Sequence, residues 1–144
     1  VALNRLHRHR EALDVARKHG ELVGPDADSL SQAGFALIGL GRNVEAAKAL
    51  FDALDDNPAH ADSVCWLSDA LPLARQGEVG ARFAKMPKPA EHFEYVANYF
   101  VENGRPTALE AVLAVMRKLA PLDPRIATYA AKAAALPKEK SEPN

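Results

Sequence analysis

The chain holds 144 residues, with 18 Lys and Arg against 19 Asp and Glu, a formal net charge of −1 and one cysteine. That length is the size of one domain with a continuous core. The near-neutral balance excludes a basic nucleic-acid footprint, the lone Cys65 excludes an intrachain disulfide framework, and no run reaches the ~20 apolar residues that span a bilayer.

Gly and Pro punctuate the chain, so the elements can be read in order. Residues 1–6 are predicted as the tail of one helix and 8–21 as its antiparallel partner, ended by Gly24-Pro25. Asp26 or Asp28 caps a helix over 27–40. Gly41 ends it, because Gly accepts the left-handed cap that other residues resist. Residues 43–56 form the next helix, closed by Asn57-Pro58, since Pro cannot continue the ladder. A helix follows over 60–74, with Pro72 expected to kink or stop it. Residues 77–86 make a short helix cut off by Met86-Pro87-Lys88-Pro89. Residues 90–103 form another, stopped by Asn103-Gly104. Pro106 or Thr107 opens one that runs to 119, and Pro121 to Pro124 make a turn. An Ala-rich helix over 124–136 is expected to cap the final pair. From Pro137 to Asn144 the chain reads as a disordered polar tail. This divides the chain into a repeat domain over 1–136 and a tail over 137–144.

The elements recur with a period of 34 residues. Shifted by 34, Ala2 falls on Ala36, Leu3 on Leu37, Leu6 on Leu40, Arg8 on Arg42, Glu11 on Glu45 and Ala12 on Ala46. Ala27-Asp28-Ser29 falls on Ala61-Asp62-Ser63. A fixed period in the range of about 20–50 residues means a stacked array, with extended surfaces in place of closed pockets. By the same shift Val1 falls one period before Phe35, in mid-helix. The expectation is therefore a first repeat truncated at its front, with further sequence upstream of Val1.

From Ala27 to Pro58 the repeat reads Leu30-x2-Ala33-Gly34-x2-Leu37, then Ala46-x3-Leu50, then Pro58. This resembles the tetratricopeptide repeat (TPR) family, whose large aromatics are replaced here by Leu. The resemblance implies an all-α, right-handed solenoid of antiparallel helix pairs with a C-terminal capping helix. In such a pair Ala33, Gly34 and Ala46 would permit close approach, while Leu37 and Leu50 would fill the space between helices. In that family the first helices of the pairs line a concave groove. The matching positions are Asp28, Ser31, Phe35, Ile38 and Gly39, then Asp62, Cys65, Asp69, Pro72 and Leu73, then Glu91, Glu94, Asn98, Val101 and Glu102. Chaperone-binding members grip a C-terminal carboxylate with Lys and Asn. Of those positions only Asn98 fits here, so the groove is instead expected to favour a basic segment.

Charge is unevenly placed. Residues 19–74 carry nine acids against Arg42 and Lys48, a local −7, whereas residues 1–18 and 75–144 are each +3. Chemical motifs are absent from the reading. His7 and His9 point to different helix faces. Asp26-Ala27-Asp28 has the form of a metal–nucleotide motif but directly precedes a helix, where capping explains it. Cys65 lies among acids, which oppose a thiolate. Phe93, Tyr95, Tyr99 and Phe100 read as a core stripe with edge contacts, a recognition patch being the lesser reading.

The sequence therefore predicts a non-catalytic scaffold or adaptor that binds a protein or peptide, without cofactor or metal. Its partner-binding residues are Asp28, Ser31, Phe35, Asp62, Cys65, Asp69, Glu94 and Asn98. Nucleic-acid binding and membrane insertion are not expected, and a single Cys favours a cytoplasmic setting. The alternatives are a regulatory or targeting segment of a larger enzyme, of envelope, polysaccharide-biosynthesis or transferase type, and self-association through exposed repeat ends.

Overall fold

The computed structural model describes residues 2–140, and the described residues form eight α-helices and one 3-10 turn without strands. They divide into two compact units, one ending at Leu71 and one beginning at Pro72. The first contains α1 (Ala2–Val23), α2 (Ala27–Gly39), α3 (Asn43–Asp56) and α4 (Ala61–Ala70). The second contains a 3-10 turn (Leu73–Arg75), α5 (Gly77–Lys85), α6 (Pro89–Glu102), α7 (Pro106–Leu119) and α8 (Arg125–Ala135).

In the first unit the period is visible in the caps. Asp26 accepts the Ser29 backbone N–H at 2.8 Å, and the Ser29 hydroxyl accepts the Asp26 N–H at 3.1 Å, a reciprocal box that satisfies two orphan donors of α2. Thirty-four residues on, His60 does the same work for α4, its Nδ1 accepting the Ser63 N–H at 3.3 Å. Gly41 turns the chain after α2 with φ +76°. Asp56 at the end of α3 accepts the Ala27 N–H at 2.9 Å and so ties α3 to the start of α2. The α2–α3 contact is close because Gly34 has no side chain, and Leu50 occupies that space. Ala46, Leu50, Ala53, Val64 and Leu67 are fully buried, and Leu37 and Leu54 nearly so.

The helix break predicted near residue 7 does not occur, and α1 is one continuous helix of 22 residues. The period places His7 where the later repeat has Gly41. A side chain at that site disfavours φ > 0, so the helical ladder simply continues. Leu13 and Ala16 of α1 are buried where the helix packs on α2. At the other end of the unit, α4 stops at Ala70 and not at 74. Pro72 has no N–H to donate, and Leu71 before it is extended at ψ 142°.

The second unit is built around aromatic residues. Phe83, Phe93 and Phe100 are fully buried, and the Phe83 and Phe93 rings lie 6.3 Å apart. Tyr129 of α8 meets Phe93 edge-on at 5.3 Å, and the Arg125 guanidinium sits 5.4 Å above the same ring. Gly80 lets α5 approach the α7 backbone, for a Cβ there would lie 2.9 Å from the Ala111 carbonyl oxygen. Helix α8 packs on α7 and α6 through Tyr129 and Ala133, while Ala127, Thr128, Ala131, Ala134 and Ala135 face solvent.

Beyond α8 the described stretch 137–140 has no regular structure. Where the sequence predicts a disordered tail, Glu139 is held in place. Its carboxylate accepts the Thr107 N–H at 2.9 Å, at the positive end of the α7 dipole, and lies 3.8 Å from Arg105. The rest of the predicted tail, 141–144, lies outside the described residues.

Candidate functional site

The exposed chemistry of the first unit gathers on α2 and α4, which lie side by side. Phe35 of α2 and Trp66 of α4 stack with ring centroids 4.8 Å apart and planes at 45°. His9 of α1 adds a third ring, edge-on to Phe35 at 6.1 Å. Phe35 keeps 42% of its surface in solvent, a large exposed fraction for such a side chain. Asp62 and Asp69 lie one turn before and one turn after Trp66, so the helical repeat places all three on one face of α4. Asp28, at the head of α2, is 87% exposed at its side chain and lies 3.4 Å from His60 Nε2. His60 Nδ1 faces the Ser63 backbone N–H, which leaves Nε2 turned to Asp28.

This is a surface of aromatic faces rimmed by carboxylates. An aromatic face attracts a cation through its quadrupole, and a carboxylate beside it adds a charge-assisted hydrogen bond. Both favour the same partner group, an Arg or Lys side chain.

Several predicted binding residues lie elsewhere. Ser31 is 1% exposed, and its hydroxyl donates to the Asp28 carbonyl at 3.0 Å. Cys65 is fully buried. Burial above all, and then the charges of Asp62 and Asp69, push its thiol far above the ordinary range, so it stays protonated. Ser31 and Cys65 occupy the same position of successive repeats, and in both repeats that position turns inward. Gly39 is covered by the His9 ring.

Glu94 and Asn98 belong to the second unit; Glu94 is exposed there. Asp123 foremost, with Glu94 behind it, holds the Arg125 guanidinium in its charged form. Asn98 accepts the Tyr129 hydroxyl, so the one residue that matched a carboxylate-gripping groove already has an internal partner. In the aromatic run of α6, Phe93 and Phe100 are core, whereas Tyr95 is 57% exposed.

Three contributors were missed by the sequence reading: Trp66, His9 and His60. Trp66 carries a signal, being the one tryptophan of the chain and lying between Asp62 and Asp69 on a helical face. His9 carries none, because its place beside Phe35 depends on the unbroken course of α1. His60 is hidden by its unusual use as a helix cap.

Other polar groups are engaged locally, within their own helices or the turns that lead into them. The Ser68 hydroxyl donates to the Cys65 carbonyl at 2.6 Å, and Arg42 and Arg75 each form a forked pair with a glutamate three residues on. Among the described residues no three His, Cys, Asp or Glu side chains converge to hold a metal ion, and no helix is long and apolar enough to cross a membrane. No family model, curated protein or solved structure matches the chain.

Proposed function

We propose that this chain is a non-catalytic binding module, a TPR-like array of antiparallel helix pairs with right-handed superhelical stacking. On this reading it holds a basic segment of a protein partner on the α2–α4 surface. The observation that carries the reading is the Phe35–Trp66 stack lying on the same two helices as Asp28, Asp62 and Asp69. The repeated caps at Asp26 and His60, and the small residue Gly34 between paired helices, support the family resemblance. The buried, protonated Cys65 and the Ser hydroxyls spent on backbone groups support a role without covalent chemistry.

The test uses short synthetic peptides carrying Arg or Lys, compared with acidic and uncharged peptides of equal length. The folded chain should retain the basic set at low salt and release it as salt rises, since exposed charges are screened beyond about 10 Å at 0.1 M. Asp62→Lys with Asp69→Lys should weaken retention by about 1–3 kcal/mol, roughly 5- to 150-fold. Trp66→Ala should weaken it as well. Equal binding of all peptide classes, or binding untouched by the double charge reversal, would refute the proposal.

A further inference from the structure

The turns at one end of the second unit carry a chemistry unlike that of the α2–α4 face. Arg125, at the start of α8, donates through Nη2 to the Ala90 carbonyl at the start of α6, at 3.2 Å. The α5–α6 turn and the α7–α8 turn therefore lie side by side. Apolar groups stand out from the second of them. Leu122 is 94% exposed, and Leu119, the last residue of α7, 55%. Pro121 between them is exposed too.

The fold does not require apolar residues there. Ala120-Pro121 after α7 takes the place that Asn57-Pro58 has after α3. In that alignment Asp55 and Asp56 stand where α7 ends in Lys118 and Leu119. Asp56, Asn57 and Pro58 are exposed although further helices follow them. Exposure is thus a property of this turn, and the first unit fills it with acids. The second unit fills it with leucines, which water hydrates at a cost.

Cations accompany the leucines at this end. Arg117 and Lys118 precede Leu119, Lys85 and Lys88 belong to the neighbouring turn, and all four are exposed. Lys88 is the one non-glycine among the described residues with positive φ, +51°, directly before Pro89. Glycine would sit there without strain, so the chain keeps a charged side chain against a backbone cost. The acids of the same elements do not cancel this charge. Asp123 pairs with Arg125 at 2.8 Å, Glu94 lies in the field of the same guanidinium, and Glu110 reaches Arg117 at 3.7 Å. Glu91 is exposed in the first turn of α6. Residues 82–94 and 117–125 together hold six Lys and Arg against three acids, a formal +3, and +2 with Glu110 included.

No pocket wall stands beside a leucine as exposed as Leu122, so a protein side chain would find nothing there to be clamped against. A lipid layer needs no wall, since apolar side chains enter its acyl boundary while cations stay at the headgroups. We infer that this end of the second unit rests on an anionic lipid surface, with Leu119 and Leu122 inserted and Lys85, Lys88 and Lys118 on the headgroup phosphates. The contact is peripheral and reversible, held by a few side chains and the negative surface potential.

Vesicle sedimentation tests this, with phosphatidylcholine alone and with added phosphatidylserine. The chain should sediment with the anionic vesicles and not with the neutral ones, and should be released as salt rises. Lys85→Gln with Lys118→Gln should weaken binding roughly 25-fold, at about fivefold per cation. Leu122→Ser should weaken it about tenfold or more. All three positions are exposed, and circular dichroism confirms that the variants are folded. In Leu122→Trp the added indole should shift its emission to the blue on anionic vesicles and be quenched by brominated lipid, with wild-type Trp66 as the baseline. A chain that stays in the supernatant with anionic vesicles overturns the inference. So does binding that Leu122→Ser leaves unchanged, for the leucine then does not enter the lipid. Equally tight binding to neutral vesicles overturns the role of the lysines. Binding of soluble polyglutamate as tight as that of the vesicles, and indifferent to Leu122→Ser, overturns it in favour of an acidic protein segment.

Discussion

Replacing Gly34 with Ala tests the packing at the centre of the first unit. In an open helix this substitution stabilises by about 1 kcal/mol, because Ala loses less backbone freedom on folding. Here the added Cβ would stand 2.8 Å from both Cγ and Cδ2 of Leu50, and 3.4 Å from the Ala46 carbonyl oxygen. A terminal methyl could rotate away, but Cγ is the branch point and moves only with the whole side chain. Leu50 is fully buried, so it has no open space to enter. Forcing a methyl into a closed core costs about 1–3 kcal/mol. Against the propensity gain, the net result is a loss of about 1 kcal/mol. Urea unfolding followed by tryptophan fluorescence reports from within this unit, since Trp66 is the single tryptophan and belongs to it. A double-mutant cycle isolates the contact. Leu50→Ala by itself should cost about 2–5 kcal/mol. In that background Gly34→Ala should restore about 1 kcal/mol, a coupling of about 2 kcal/mol between the sites. If Gly34→Ala raises the urea midpoint in the native background, the close approach of α2 and α3 is not what the glycine provides.

Gly80→Ala should be the costlier glycine substitution, losing about 2–3 kcal/mol, because its Cβ would meet the Ala111 backbone oxygen at 2.9 Å and not a side chain; thermal unfolding of the second unit checks it, and a loss smaller than that of Gly34→Ala would contradict the reasoning. Cys65 should resist a thiol reagent such as dithionitrobenzoate in the folded chain and react fully in guanidinium, as burial keeps it a thiol. Acid should destabilise the chain in a defined direction. Asp26, Glu45, Glu78 and Asp123 titrate below the usual carboxylate range, held by the Ser29 backbone N–H, Arg42, Arg75 and Arg125 respectively. The unfolded chain therefore takes up protons first as pH falls, so these contributions are present above about pH 4 and are lost below it through the lower folded values. Urea midpoints that stay flat from pH 6 to about pH 3 would show that these pairs contribute nothing.

The helical class, and most helix boundaries, are legible in the sequence because they depend on local chemistry. Gly24, Gly41 and Gly104 all adopt positive φ at helix ends, where a Cβ would be strained. Pro89 and Pro106 each open a helix at the position where a missing N–H costs nothing. The 34-residue shift carries the Asp26–Ser29 cap onto His60–Ser63, although the capping residue has changed type.

Other features depend on which groups meet across helices, and no pattern along the chain contains that. The period predicts a turn at His7, yet α1 runs through it and brings His9 to Phe35. Ser31 and Cys65 hold the position that a groove would require, but neighbouring helices cover them. Asn98 reads as an open binding group, and Tyr129 from a helix about thirty residues later donates its hydroxyl to it. The stack of Phe35 on Trp66 arises only because α2 and α4 lie side by side. Periodicity specifies where helices begin, end and turn their apolar faces, because those choices are made within a few residues. Whether a given side chain is left for a partner is decided by the packing of helices remote in sequence, and here that packing left the Phe35–Trp66 surface open.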